Sequence, residues 1–125
     1  MEDWKIKIAV LWIVLEFGWI TGGIVGHNIP GFVEDYYAQT TPEGIIVVAV
    51  LMMIGPIMAF LSLTLKDSIN RWTNFILGIV FAGFAYRFAI SYPAAYSAFG
   101  ILLTIVEFVP AALIVWYAWK SKQKT

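Results

Sequence analysis

Four runs of mostly apolar residues, each long enough to cross a bilayer, alternate with short polar stretches along this chain. The first, 8–26, holds about 19 residues, or about 28 Å of helix at about 1.5 Å per residue, and matches a hydrocarbon core of about 30 Å. The others cover 44–65, 72–90 and 96–119. Each is too apolar around its circumference for a soluble amphipathic helix, so the pattern predicts membrane spans rather than a water-soluble bundle. A cleaved leader is the competing reading of the first run. That run is longer than an ordinary leader's apolar core, carries Glu16 and Trp19, and has no small-x-small cleavage site.

The polar stretches supply the stops and starts. Asn28-Ile29-Pro30-Gly31 ends span one and turns the chain, and 32–38 predicts a short interfacial helix with Tyr36 and Tyr37 at headgroup level. Thr40 or Thr41 is the expected N-cap of span two, with Pro42 in its first turn and Glu43 favoured by the helix dipole. The 66–71 link is short enough only to reverse direction, with Asp67 or Ser68 capping span three, and Ser91-Tyr92-Pro93 breaks that span. Pro56 and Pro110 lie inside spans two and four. Each removes one helical hydrogen bond and frees a carbonyl four residues back, at Met52 and Val106.

Charge adds orientation to this picture. Of eight cations, seven fall in three places (Lys5 and Lys7, Lys66 and Arg71, then Lys120, Lys122 and Lys124), leaving only Arg87 elsewhere. Four spans bring those three places to one side, which the positive-inside rule makes cytoplasmic. The expected fold is therefore all-α: one integral membrane four-helix bundle, up-down-up-down, with both termini cytoplasmic. Composition agrees, at 61% hydrophobic and 17% aromatic residues and a mean hydropathy of +0.81. With no cysteine and one histidine, disulfides, thiolate metal sites and iron–sulfur clusters are excluded, and no metal or other cofactor is expected. The lysines form no continuous basic patch, so nucleic acid is not an expected partner.

Three stretches carry a resemblance. Leu65-Lys66-Asp67-Ser68-Ile69-Asn70-Arg71-Trp72-Thr73-Asn74, the acidic-then-basic opening Glu2-Asp3-Trp4-Lys5-Ile6-Lys7, and the aromatic close Trp116-Tyr117-Ala118-Trp119-Lys120 with Glu107 upstream resemble a family of small prokaryotic four-span membrane proteins defined as a domain of unknown function. The resemblance implies a prokaryotic cytoplasmic membrane and the four-span fold. It implies no activity, and Arg87 has no counterpart in the family's pattern.

Two acids stand inside spans. Glu16 lies about 13 Å above Lys7 and Glu107 about 20 Å above Lys120, both near mid-membrane at about 1.5 Å per residue. An ionisable side chain at that depth costs about 2.5–3.5 kcal/mol on insertion scales, so each should face the bundle and share a polar interior with the other. Trp12, Trp19, Gly23 and His27 share the face of Glu16, and Gly100, Thr104, Pro110 and Ala111 that of Glu107. Met52, Gly55, Ala59 and Ser62 on span two, and Asn74, Gly78 and Ala82 on span three, form comparable faces. The candidate core is thus Glu16, Glu107 and Arg87, with Trp12, Trp19, Met52 and Thr104 as lining. Arg87 has two arrangements open to it: pairing with Glu107, or reaching outward to headgroups or to Glu34 and Asp35.

Three functional readings follow. In the first, the spans enclose a polar cavity that binds or conducts a small solute, proton or lipid through Glu16 and Glu107, in a homo-oligomer. In the second, the protein is a non-catalytic accessory or scaffold subunit with the bilayer and a membrane partner around it, and its acids and prolines set packing. The third is an intramembrane enzyme, for which no catalytic set is identified and which would need a second group near Glu16. A hydrated pocket between the two acids separates the first reading from the second, which expects a dry interface.

Overall fold

The computed structural model describes residues 3–89 and 94–122. Among them all regular secondary structure is helical: α1 (Asp3–Gly26), α2 (Phe32–Gln39), α3 (Pro42–Thr64), α4 (Asp67–Ala89), a 3-10 turn (Ala94–Tyr96) and α5 (Ser97–Lys122). The expected break at 91–93, the end of span three at Ile90, and the outermost charged residues Glu2 and Lys124 lie outside the described residues.

Local chemistry sets the boundaries. Gly31 turns the chain at φ 81°, a left-handed conformation that a Cβ would strain, and α2 starts immediately after it. Thr41, not Thr40, caps α3: its hydroxyl oxygen accepts from the Gly44 N–H at 3.0 Å, and Pro42 follows in the first turn, where a missing N–H costs nothing. α4 begins at Asp67, five residues before the apolar run, because an acid in the first turn suits the positive helix end. Both α3 and α5 continue through their prolines.

Three helices, α1, α3 and α5, are long and apolar enough to cross a membrane. α4 is as long as α3, at 23 residues. Asp67, Asn70, Arg71 and Asn74 in its first turns, and Arg87 in its last, interrupt its apolar character.

Side-by-side packing runs in the order α3, α1, α5, α4, with α3 touching α4 only sparingly. The longer 27–41 connection thus places α1 between α3 and α5, while the short link leaves α3 and α4 joined mainly at its own end. Lys5 at the start of α1 pairs with Asp67 at the start of α4 at 2.6 Å, and Lys7 lies 5.4 Å over the Tyr117 ring near the end of α5. Those contacts gather the start of α1, the α3–α4 link and the end of α5 at one end, called here the link end.

Small residues decide how closely the helices approach. At Gly78 of α4 an added Cβ would stand 2.7 Å from Val115 Cγ2 and 3.3 Å from the Ala111 carbonyl oxygen of α5, so the Gly78–Ala82 face serves helix contact within one chain. Gly78→Leu is expected to force α4 and α5 apart and lower stability by about 1–3 kcal/mol, the usual range for overpacking. Detergent-titration unfolding of the purified protein reads it.

Candidate functional site

α1 carries the site because it packs between α3 and α5, and one intramembrane acid lies in each of those two interfaces. Glu16 points from α1 to α3. A Cβ added at Gly55 would lie 2.6 Å from Glu16 Oε2 and 3.3 Å from Glu16 Cβ, so the carboxyl occupies the space that glycine leaves open beside Pro56. That Oε2 is buried and has no hydrogen-bond partner among the described residues.

Glu107 reaches α1 from α5 and lands elsewhere. It is 7% exposed, and its Cγ lies 3.4 Å from a Cβ added at Gly18, its Oε1 3.6 Å from one added at Gly22. Val106 and Leu103 fill the space beside it, Val106 Cγ1 at 2.9 Å from a Cβ added at Gly18 and the Leu103 methyls at 3.1 Å from one added at Gly22. Gly18 and Gly22 are about 200° and about 240° round α1 from Glu16 at about 100° per residue. The two acids therefore sit in separate interfaces, with α1 itself between them, rather than across one shared interior.

The other expected site residues disperse. Arg87 is exposed on α4 and forms no ion pair with Glu107 among the described residues. Thr104 is half-buried and donates from Oγ1 to its own helix at the Gly100 carbonyl oxygen, 2.7 Å. Met52 is half-buried on α3. Trp19 is half-buried with its ring 5.3 Å from Phe81. Pro56 is exposed and Pro110 buried. His27, at the end of α1 away from the link end, donates from Nδ1 to the Gly23 carbonyl oxygen at 2.5 Å and packs its ring near Phe32.

Trp12 belongs to a different cluster, nearer the link end. Its indole N–H donates to Asn74 Oδ1 at 2.7 Å, and Ser62 Oγ donates to the same oxygen at 3.2 Å. An indole N–H can only donate, so the Asn74 oxygen must face it and the amide nitrogen must face away. Asn74 Nδ2 accordingly donates to Asn70 Oδ1 at 2.6 Å and to the Asn70 carbonyl oxygen at 2.9 Å. Asn70 Nδ2 in turn donates to the Ser62 carbonyl oxygen at 2.7 Å. Trp12, Ser62, Asn70 and Asn74 are all fully buried, and the chain of bonds ties α1, α3 and α4 together.

Asn70 and Ser62 were the residues sequence reasoning undervalued. Their signal was present: two amides one turn apart at the start of an apolar helix, opposite a serine at the end of the preceding one, all needing partners where water is scarce. Read singly, Ser62 falls on the contact face of span two and Asn70 in the 66–71 link.

Helices as the regular secondary structure of the described residues, three of them long and apolar enough to span a bilayer, define a helical membrane protein. Comparison with protein-family models, curated proteins and solved structures finds no match to it. Among the described residues no group of three or more His, Cys, Asp or Glu side chains is arranged to hold a metal ion.

Proposed function

We propose that this is a four-span, up-down-up-down membrane protein with both termini cytoplasmic, acting as a non-catalytic accessory or scaffold subunit through helix packing. The observation that carries the reading is the seating of both acids against glycines, Glu16 on Gly55 and Glu107 on Gly18 and Gly22, in interfaces on opposite sides of α1. Acids held this way set helix register and spacing instead of lining a common chamber. The Trp12–Asn74–Asn70–Ser62 chain supports it, since its hydrogen bonds are made within the protein, among its own members and to the Leu65 carbonyl oxygen. A large uncovered apolar area on α3, including Ile45, Ile46, Val47, Met53, Ile57 and Phe60, suits lipid, a partner helix or a second copy. The four-span family suggested by the Asn70-Arg71-Trp72 segment is part of the same proposal.

One observation favours a second reading. The orphaned Oε2 of Glu16 is the kind of group a bound proton or small solute would satisfy. Liposomes holding the full chain, an interior pH dye and an imposed pH gradient distinguish the two. A scaffold gives the leak rate of protein-free vesicles, unchanged in Glu16→Gln and Glu107→Gln. A flux that Glu16→Gln abolishes would overturn the scaffold reading in favour of conduction at Glu16.

A further inference from the structure

α3 is packed at the link end and bare at the other. Its Ser62 bonds to Asn74 of α4, but its contact with α4 is sparse overall, and every residue from Ile45 to Val50 is exposed. α4 also turns a stripe away from the core: Ile69, Ile76, Val80, Gly83 and Arg87 are all exposed and fall within about 60° of one another at about 100° per residue. A Cβ added at Gly83 would meet nothing within 4 Å, so that glycine spaces no helices within the chain. On α3, Glu43, Ile46, Val50 and Ile57 form a second exposed stripe, again about 60° wide.

Each stripe ends, away from the link, in a charge. Glu43 stands about 32 Å above Thr64 and Arg87 about 30 Å above Asp67 at about 1.5 Å per residue, so two opposite charges share one height. Neither forms an ion pair among the described residues. Exposed Glu34 and Asp35 of α2, the helix that leads into α3, add negative charge at the same end.

We propose that α3 and α4 form the interface of a two-fold homodimer, the α3 stripe of each copy lying against the α4 stripe of the other, with Glu43 and Arg87 paired across both seams. The inference rests on the four-span reading, which stands both helices across the bilayer, and it names a second copy as the packing partner of the scaffold. Copies inserted the same way up are related by an axis along the membrane normal, and rotation about that axis preserves depth. Charges of equal height in one chain therefore meet at equal height between two. The arrangement is isologous and closed, since each copy uses both stripes once and leaves neither open to a third. Gly83 lets the facing backbone approach closely, and packing of that kind, rather than the ion pairs, holds membrane helices together. The ion pairs select register and partner.

The test is energy transfer between fluorophore-labelled copies of the full chain in liposomes, followed as lipid is added. Arg87→Glu or Glu43→Lys alone is expected to weaken dimerisation about tenfold, because each reversal sets like charges together at two seams, and the double variant should return to the wild-type value. A second measurement uses the absence of cysteine from the chain. Val50 and Val80 stand about 21 Å and about 20 Å from the link by the same count, so oxidation of liposomes holding Val50→Cys and Val80→Cys chains should give the mixed disulfide at least fivefold faster than either like pair. Transfer no greater than random collision at every dilution would overturn the proposal and assign the stripes to lipid or to a different protein. Charge reversals without effect, a double variant no better than the singles, or equal rates for all three disulfides would overturn it as well. The pH-gradient assay above is unaffected by these results: a monomer that conducts nothing removes the dimer and leaves the scaffold reading standing.

Discussion

Gly55→Leu is expected to lose about 1–3 kcal/mol of stability through overpacking and to detach α3 from α1. The position allows no compromise: the first added carbon would stand 2.6 Å from Glu16 Oε2 and 3.4 Å from Glu16 Cδ. Sparse contact with α4 gives α3 little else to hold it, and its buried residues, Gly55, Met58, Ala59 and Ser62, all lie in its second half. The prediction becomes specific in a double-mutant cycle. Glu16→Ala alone should be close to neutral, because it removes a buried oxygen that has no partner. Combined with Gly55→Leu it should restore most of the lost stability, a coupling of about 1 kcal/mol or more. Unfolding by detergent titration, followed by circular dichroism and tryptophan fluorescence, measures both. Additive losses would mean that Gly55 and Glu16 do not meet, and the packing role assigned to Glu16 would fall.

Asn74→Asp is expected to destabilise the protein at least as much as Asn74→Ala, although aspartate has almost the shape of asparagine. Asn74 makes four bonds: Oδ1 accepts from Trp12 Nε1 and Ser62 Oγ, and Nδ2 donates to two Asn70 oxygens. Alanine deletes all four. The bonds from Trp12 and Ser62 cross between helices, where such bonds average about 0.6 kcal/mol and reach about 1.7 kcal/mol, so a loss of about 1–3 kcal/mol is expected from those two. Aspartate keeps the acceptor half but turns the donor half into an oxygen facing two oxygens, and ionised it would also be a fully buried charge. Thermal unfolding of both variants decides the matter. Near-wild-type stability of the aspartate variant would show that shape, not the direction of the donors, holds α1, α3 and α4 together at the link end.

Much of the local structure was legible in the chain. Thr41 followed by Pro42 placed the start of α3, and Pro30-Gly31 placed the turn before α2, because capping and left-handed turns depend on neighbouring residues. The short helix after Gly31 was expected over 32–38 and runs from Phe32 to Gln39. The apolar runs marked α1, α3 and α5 by length alone. The start of α4 was less visible. Its first five residues are polar or charged in part, and the apolar run that marks a span begins only at Trp72.

The candidate site was legible in its parts and not in its arrangement. Glu16 and Glu107 stood out as ionisable groups among apolar ones, and both do point into helix contacts. Depth along the helix axis, which the sequence provides, suggested that they face one another. Direction around the axis, which it does not, separates them. A helix apolar on every side has no sequence-visible inner face. α1 is such a helix, and only its neighbours assign Glu16 to α3 and the Gly18–Gly22 notch to α5.

What the sequence by itself determined is thus the set of helices, the turn before α2, the cap of α3 and a membrane-compatible composition, all consequences of run length and nearest-neighbour chemistry. What only the tertiary structure decided is which helix lies beside which, that α1 separates the two acids, and that Trp12 finds Asn74 at 62 positions' distance. Those outcomes depend on where glycines allow close approach and on which buried donors can be matched to acceptors. Both are properties of pairs of surfaces rather than of any single stretch of chain.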